Sequence, residues 1–139
     1  MKFPEGFDYV KQDLDHFGVW EPRTTEYIKS HLKKGQTFLD VGAQVGYFTV
    51  LASELGAKVY AFEPSSVNRE CLIENIKENG CKDITVVDKA LSNTNGIARL
   101  FTGKTPGENS LMENYHKGKG FEEVETIRFD DWNKEARII

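Results

Sequence analysis

The chain is poor in the residue types that mark the simpler function classes. It has only two cysteines, Cys71 and Cys81, ten positions apart and outside any CxxC pair. That spacing excludes a zinc knuckle and a disulfide framework, and both read as ordinary half-buried thiols. The three histidines, His16, His31 and His116, are too dispersed to suggest a metal site, and surface or helix-end positions suit them. His116 is the one conceivable base, because it falls in a loop able to cover a pocket. No apolar run approaches the ~18 residues of a membrane-spanning helix. A basic excess is also missing. Eighteen Lys and Arg face 22 Asp and Glu, and a net charge of -4 with scattered cations disfavours a grip on nucleic acid. Met1-Lys2-Phe3-Pro4-Glu5-Gly6 has neither the apolar stretch nor the cleavage pattern of a secretory signal, so the cytoplasm is the expected compartment.

What is present fits one packed domain: 139 residues, 39% hydrophobic and 29% charged, with no internal repeat or low-complexity tract. Mean hydropathy is -0.50. Residues 1–20 are expected to form a flank or lid, with Phe7, Val10, Leu14 and Phe17 on one face of a short helix. Residues 21–139 form the main domain. Pro22 opens a helix of about a dozen residues, with Tyr27, Ile28 and Leu32 at helical spacing, Lys33-Lys34 at its carboxyl end and Gly35 ending it. Thr37 to Val41 reads as a buried strand, Gly42 to Gly46 as a tight turn, and Tyr47 to Leu55 as a helix stopped by Gly56. Lys58 to Phe62 is a second strand, closed by Glu63-Pro64. Ser65 caps a further helix with Val67, Cys71, Leu72 and Ile76 inward, and Ile84 to Val87 is a third strand.

Strand and helix alternating at this spacing predict an α/β fold with right-handed crossovers and a parallel sheet. Beyond Asp88 the rhythm changes. Gly96–Phe101 and Glu123–Phe129 alternate in polarity, which predicts an antiparallel pair around a long glycine-containing loop. In that loop Lys117-Gly118-Lys119-Gly120 reads as a solvated stretch rather than a phosphate cradle, since no strand precedes it.

The turn Asp40-Val41-Gly42-Ala43-Gln44-Val45-Gly46 leaves a strand and enters a helix, where open parallel sheets bind ligands. A dinucleotide fingerprint wants glycine where Asp40 stands, so a pyrophosphate fits poorly. An acid there suits an ammonium group. Glu63, 21 residues after Gly42, ends the second strand, where a carboxylate accepts both hydroxyls of a ribose. Asp88 follows the third strand at the same edge, within reach of an adenine amino group. The ligand these residues describe is nucleoside-like with a free amino acid end, as S-adenosylmethionine is. The alternative is that Gly42 and Gly46 are turn and packing glycines and that the three acids are solvated carboxylates.

Phe38-Leu39-Asp40-Val41-Gly42-Ala43-Gln44-Val45-Gly46-Tyr47-Phe48-Thr49, Val59-Tyr60-Ala61-Phe62-Glu63-Pro64 and Asp88-Lys89-Ala90-Leu91-Ser92 resemble the FkbM-type family of S-adenosylmethionine-dependent methyltransferases. Trp20-Glu21-Pro22 and Asn109-Ser110-Leu111 are similar to that family too, and the likeness runs from about residue 20 to residue 132. Gln44 departs from the family's usual asparagine and keeps the amide. The resemblance implies a class I, Rossmann-like methyltransferase fold that methylates a hydroxyl of a sugar or other small metabolite. It implies cofactor contacts at Asp40, Gly42, Ala43, Gln44, Gly46, Tyr47, Glu63, Pro64, Asp88 and Ala90. It names no catalytic base. The family's fourth parallel strand, with its acidic segment, has no counterpart here. Seven strand-helix units need about 170 residues, against the 103 from Thr37 onward. The expectation is therefore an amino-terminal, cofactor-binding part, incomplete at its carboxyl end, or else a natural short member of the family. Its exposed sheet edge would invite a homodimer. Two other functions compete: a cofactor-binding or assembly module without turnover, and, more weakly, a nicotinamide-dependent oxidoreductase.

Overall fold

A computed structural model describes residues 1–6, 8–103, 108–112 and 120–136, with no side-chain description for 8, 9 and 134–136. Phe7, His116 and the Lys117–Lys119 stretch named above lie outside the described residues. The elements run α1 (Asp8–Phe17), α2 (Pro22–His31), β1 (Thr37–Val41), α3 (Tyr47–Glu54), β2 (Lys58–Phe62), α4 (Ser66–Glu78), β3 (Ile84–Val87), β4 (Ala90–Leu91), β5 (Gly96–Thr102), β6 (Gly120–Ile127) and α5 (Phe129–Ala136). Among the described residues no helix is long and apolar enough to cross a membrane.

The first sheet is parallel in the order β1-β2-β3, with Leu39 opposite Tyr60 and Ala61 opposite Val86. Its two faces follow from the alternation of side chains along a strand. Phe38, Val59, Ala61, Ile84 and Val86 meet Ala52 of α3 and Leu72 and Ile76 of α4. Leu39, Tyr60, Phe62 and Val87 form the other face, packed with Trp132 of α5. Trp132 sets its ring edge-to-face on both Tyr60 and Phe62, with centroids 5.2 and 4.7 Å away. Central β2 is therefore apolar on both faces, as a parallel strand between two layers must be. β1 is the sheet's edge among the described residues, and its last residue, Val41, is 59% exposed.

The second sheet has the order β4-β6-β5, with β4 parallel and β5 antiparallel to β6. Several elements depart from the sequence reading. Two-residue β4 was not expected, being too short to show a period. β6 covers Gly120–Ile127 rather than Glu123–Phe129, and Phe129 opens α5 instead, because Asp130 and Asp131 suit a helix's first turn. α2 stops at His31, where Leu32 turns extended, three residues short of Lys34. Tyr27 and Phe17 point to solvent, at 63% and 67% exposure, rather than into the core. Cys71 and Cys81 are half-buried free thiols, and His16 and His31 lie on the surface.

The inward face of α4 also differs from the expected one. Val67 is 52% exposed, while Asn68, Leu72 and Asn75 are fully buried and Cys71 and Ile76 only partly so. The polar residues are inside because they have partners there: Asn68 bonds the Glu63 carboxylate, and Asn75 finishes backbone hydrogen bonds that the loops leave open. The Asn75 amide donates to the carbonyls of Lys2 (2.9 Å) and Val45 (2.8 Å) and accepts the Lys2 N–H. One side chain thus ties the amino-terminal segment to the loop ahead of α3, and Val10 of α1 packs on Val45 beside it.

Replacing Asn75 by leucine strands the Val45 carbonyl in the interior and releases the amino terminus, with an expected loss of about 2–3 kcal/mol. Thermal unfolding should show a drop of roughly 6–12 °C. Val67→Ala, on the face that is actually exposed, should change stability by less than about 0.5 kcal/mol.

Candidate functional site

The carboxyl ends of β1, β2 and β3 converge on one edge of the sheet, and the chain leaving β1 turns sharply back there. Gly42 N–H and Ala43 N–H both reach the Phe62 carbonyl, at 2.9 and 3.0 Å, and Gly46 N–H closes the turn on Ala43 (2.8 Å). Gly42 has φ 77 and Gly46 φ 91, left-handed values at which glycine carries no side-chain penalty. The two differ in what a side chain would meet. A Cβ on Gly46 would run into Leu72 of α4, so this glycine serves helix packing. A Cβ on Gly42 would meet nothing within 4 Å, because the residue faces open space.

That space is a run of three joined hollows, all bordered by Gly42. The first, of about 240 Å³, is walled by Asp40, Ala43, Gln44 and Tyr47 with Trp20 and Glu21 from the chain before α2. The second is small, about 100 Å³, and holds Gln44, Glu63, Pro64 and Asn68 against Leu100 and Asn109. The third, about 350 Å³, is apolar, with Phe62, Pro64, Ala90, Leu100 and Leu111 around it. A larger hollow of about 450 Å³ lies behind α3, between Leu14, Lys29, Val50 and Glu54, away from the strand ends; Tyr47 borders it as well.

Two buried carboxylates define the polar part. Asp40 is 7% exposed, and its Oδ2 accepts the Thr49 hydroxyl at 2.6 Å. Burial raises its pKa above the ordinary carboxylate value, and hydrogen bonds from the Thr49 hydroxyl and backbone pull the other way. Glu63 is 4% exposed and uses both oxygens: Oε2 accepts Gln44 N–H at 2.7 Å and Oε1 accepts Ser65 N–H at 2.9 Å. Burial raises its pKa too, opposed by those two N–H groups, the Asn68 side chain and the nearby Arg69 charge. Arg69 itself donates to the Glu63 and Pro64 carbonyls, at 3.1 and 2.8 Å, so the bend after β2 is braced from α4.

Of the residues expected from sequence, Asp40, Gly42, Ala43, Gln44, Tyr47, Glu63, Pro64 and Ala90 line these hollows. Gly46 stands one turn back, under Leu72. Asp88 follows β3 at the same edge but is exposed and borders none of the three, whereas its neighbour Lys89 borders the apolar one. Ser65 holds the cap position of α4 without a side-chain cap bond; the Glu122 carboxylate of β6 accepts Ser66 N–H instead, at 3.2 Å. Sequence reasoning missed Asn68 and Leu100 as walls. Asn68 carried no signal, being a polar residue on a face assigned from apolar ones. No group of three or more His, Cys, Asp or Glu able to hold a metal occurs among the described residues.

Comparison with known proteins gives partial overlaps. No family model matches the chain. It is 33% identical over 72 residues to a ribosomal protein L11 methyltransferase of Macrococcus caseolyticus, a stretch covering 48% of this chain and 23% of that protein. The chain thus spans about a quarter of the length of the curated relative it matches. Among solved structures, a SAM-dependent methyltransferase from Aquifex aeolicus overlays with TM-score 0.47 at 25% identity, covering 63% of this chain and 48% of that one. A candidate methyltransferase of Streptococcus mutans, in complex with SAH, gives TM-score 0.47 at 22% identity over 52% and 42% of the two chains. With TM-scores under 0.5 these overlays bear no weight. The chain is similar in sequence to part of a methyltransferase.

The raised pKa of Asp40 fixes the sign of a pH effect. An acid whose pKa is higher folded than unfolded stabilises the fold below its ordinary value, and that contribution is lost as pH rises through the folded value. Above the ordinary carboxylate range Asp40 therefore weighs against the ligand-free fold. Asp40→Asn, which keeps an acceptor for Thr49, should melt higher than the parent at pH 7–8, with the advantage shrinking as pH falls toward 4. Melting curves across that range test it, and a constant difference at every pH would remove Asp40 as its origin.

Proposed function

We propose that the three hollows hold S-adenosylmethionine and that the chain is the cofactor-binding part of a class I methyltransferase of the FkbM type. The observation that carries this reading is the buried Glu63 carboxylate at the end of β2, facing the hollow opened by the Gly42 turn. A carboxylate there can accept the two hydroxyls of a ribose. Asp40, buried in the first hollow beside the start of α3, suits the ammonium of the methionine end. The apolar hollow beyond Pro64 and Ala90 suits the adenine ring. Asp88, just outside it, remains the candidate for the adenine amino group, and Tyr47 and Gln44 wall the amino acid end.

When bound, S-adenosylmethionine supplies a methyl group already activated by its sulfonium charge. The chain's residues then have to bind and orient the donor. Glu63 fixes the sugar, Asp40 the charged end, and the Gly42 backbone admits the ligand closely. For the acceptor we favour a hydroxyl of a sugar or other small metabolite. Three motifs support this, together with a net charge of -4 that suits a small neutral substrate better than a nucleic acid. The second reading, a cofactor-binding module without turnover, draws on the match to a curated methyltransferase covering only 23% of that protein. A nicotinamide cofactor is disfavoured, because a buried acid at Asp40 would repel its diphosphate.

Calorimetry with S-adenosylmethionine, S-adenosylhomocysteine and NAD separates these readings: the first two should bind and NAD should not. Any such ligand also raises the melting temperature by mass action. Glu63→Gln keeps one acceptor for the loop N–H groups but weakens the charge-assisted bonds to ribose, so affinity should fall about tenfold. Unchanged affinity in a folded Glu63→Gln chain would exclude the ribose assignment. Transfer of labelled methyl to candidate sugars, compared with ribosomal RNA and ribosomal protein, tests the acceptor. A homodimer through the free edge of β1 should raise the sedimentation coefficient with concentration.

A further inference from the structure

Asn109-Ser110-Leu111, the segment of the long loop similar to the FkbM family, makes none of the cofactor contacts proposed above. In the fold it is a short strap returning along β5. Ser110 pairs with Phe101 through both backbone bonds, N–H to carbonyl at 2.8 and 3.0 Å. Leu111 packs on Ala90, Leu100 and Val124. Asn109 Oδ1 accepts Gly103 N–H at 3.2 Å. The strap can come this close only because position 103 is glycine: a Cβ there would collide with the Glu108 side chain and carbonyl. So Asn109 is held at a defined place, and that place is the junction of the Glu63 hollow with the apolar hollow, both of which it borders.

The orientation of its amide is chemically informative. With Oδ1 engaged by the Gly103 N–H, the group Asn109 can offer to a ligand is its NH2 donor. Glu63 and Asp40 are acceptors, and the wall formed by Phe62, Pro64 and Leu100 is apolar. An NH2 at this junction supplies the opposite polarity where a sugar joins its base.

We propose that Asn109 is a nucleoside-recognition residue whose side-chain amide donates to an acceptor at the sugar–base junction of the bound nucleoside. The proposal rests on the cofactor assignment given above. It makes the strap a specificity element: it closes the base end of the trough with one donor against the two acid acceptors of the polar end.

Asn109→Asp is the decisive variant, because it keeps an oxygen for Gly103 N–H and replaces only the donor. Binding is measured by calorimetry with two probes, S-adenosylhomocysteine and 5′-methylthioadenosine, the second lacking the amino acid end. Loss of one hydrogen bond to a ligand should weaken both by about five- to tenfold and by the same factor. The ligand-free melting temperature should stay within about 2 °C of the parent, a surface-sized change. Unchanged affinity for both probes overturns the proposal, and so does a loss confined to S-adenosylhomocysteine, which would place Asn109 at the amino acid end. If Asn109→Asp unsettles the strap itself, Gly103→Ala gives the second reading: it displaces the strap without altering Asn109, and parental affinity in that variant overturns the proposal. Should the parent bind neither probe, the cofactor assignment fails first, and this inference with it. Parental binding with insensitive variants separates the two failures.

Discussion

The geometry of the ligand-facing edge depends on one buried carboxylate. Glu63 accepts N–H groups from two loops at once, Gln44 after β1 and Ser65 after β2. Gln44 stands at φ 51, a left-handed conformation that few side chains other than glycine adopt without cost. A charge-assisted hydrogen bond to its N–H is strong enough to hold it there. With Gln44 fixed, the turn around Gly42 has a single shape, and the hollows on either side acquire their walls. A carboxylate so enclosed loses much hydration, and its raised pKa registers that loss. The fold accepts the cost because the same group orders both loops.

Asn75 does for the amino-terminal flank what Glu63 does for the loops. By bonding Lys2 and Val45 together it places α1 against the turn, and the chain then passes Trp20 and Glu21 along the wall of the first hollow. Glu21 takes φ 43 at this point, just before Pro22 starts α2. Thr25 ties down the same corner, its hydroxyl donating to the Trp20 carbonyl at 2.6 Å and standing 3.3 Å from the Tyr47 hydroxyl. The first twenty residues are thus fastened to the core at both ends of α1 rather than laid loosely over it.

Much of this was legible in the sequence, for a physical reason. β1, β2 and β3 are short apolar runs bounded by glycine, proline or acids, and buried parallel strands have to look like that. Glycine at 42 and 46 and acids at 40 and 63 mark the strand ends, because positive φ and a polar terminus are hard to build otherwise. Long-range effects stayed hidden. The buried face of α4 was misjudged since Asn68 and Asn75 are inside on account of partners 5 and 30 or more residues away, Glu63, Val45 and Lys2. β4 exists only because Ala90 and Leu91 find β6, with Ala90 opposite Thr126. Phe129 continues an alternating pattern by composition but belongs to the helix that carries Trp132 onto Tyr60 and Phe62. Asp88, on pattern the equal of Glu63, ends up exposed.

The two buried acids are not equivalent, and the difference assigns them different tasks. Glu63 is surrounded by donors from Gln44, Ser65 and Asn68, with the Arg69 charge nearby, and these offset part of the burial that raises its pKa. Such a group discriminates by geometry and accepts hydroxyls through its remaining lone pairs. Among the described residues the Asp40 carboxylate draws its hydrogen bonds from Thr49, and no cation stands beside it. Its charge is therefore the less compensated of the two, and a cationic ligand group in the first hollow would relieve more of its burial cost than a neutral one. On the proposed assignment, a positively charged ligand end is matched to Asp40, which has no cation beside it among the described residues, and a sugar to Glu63, whose carboxylate the loop donors already orient.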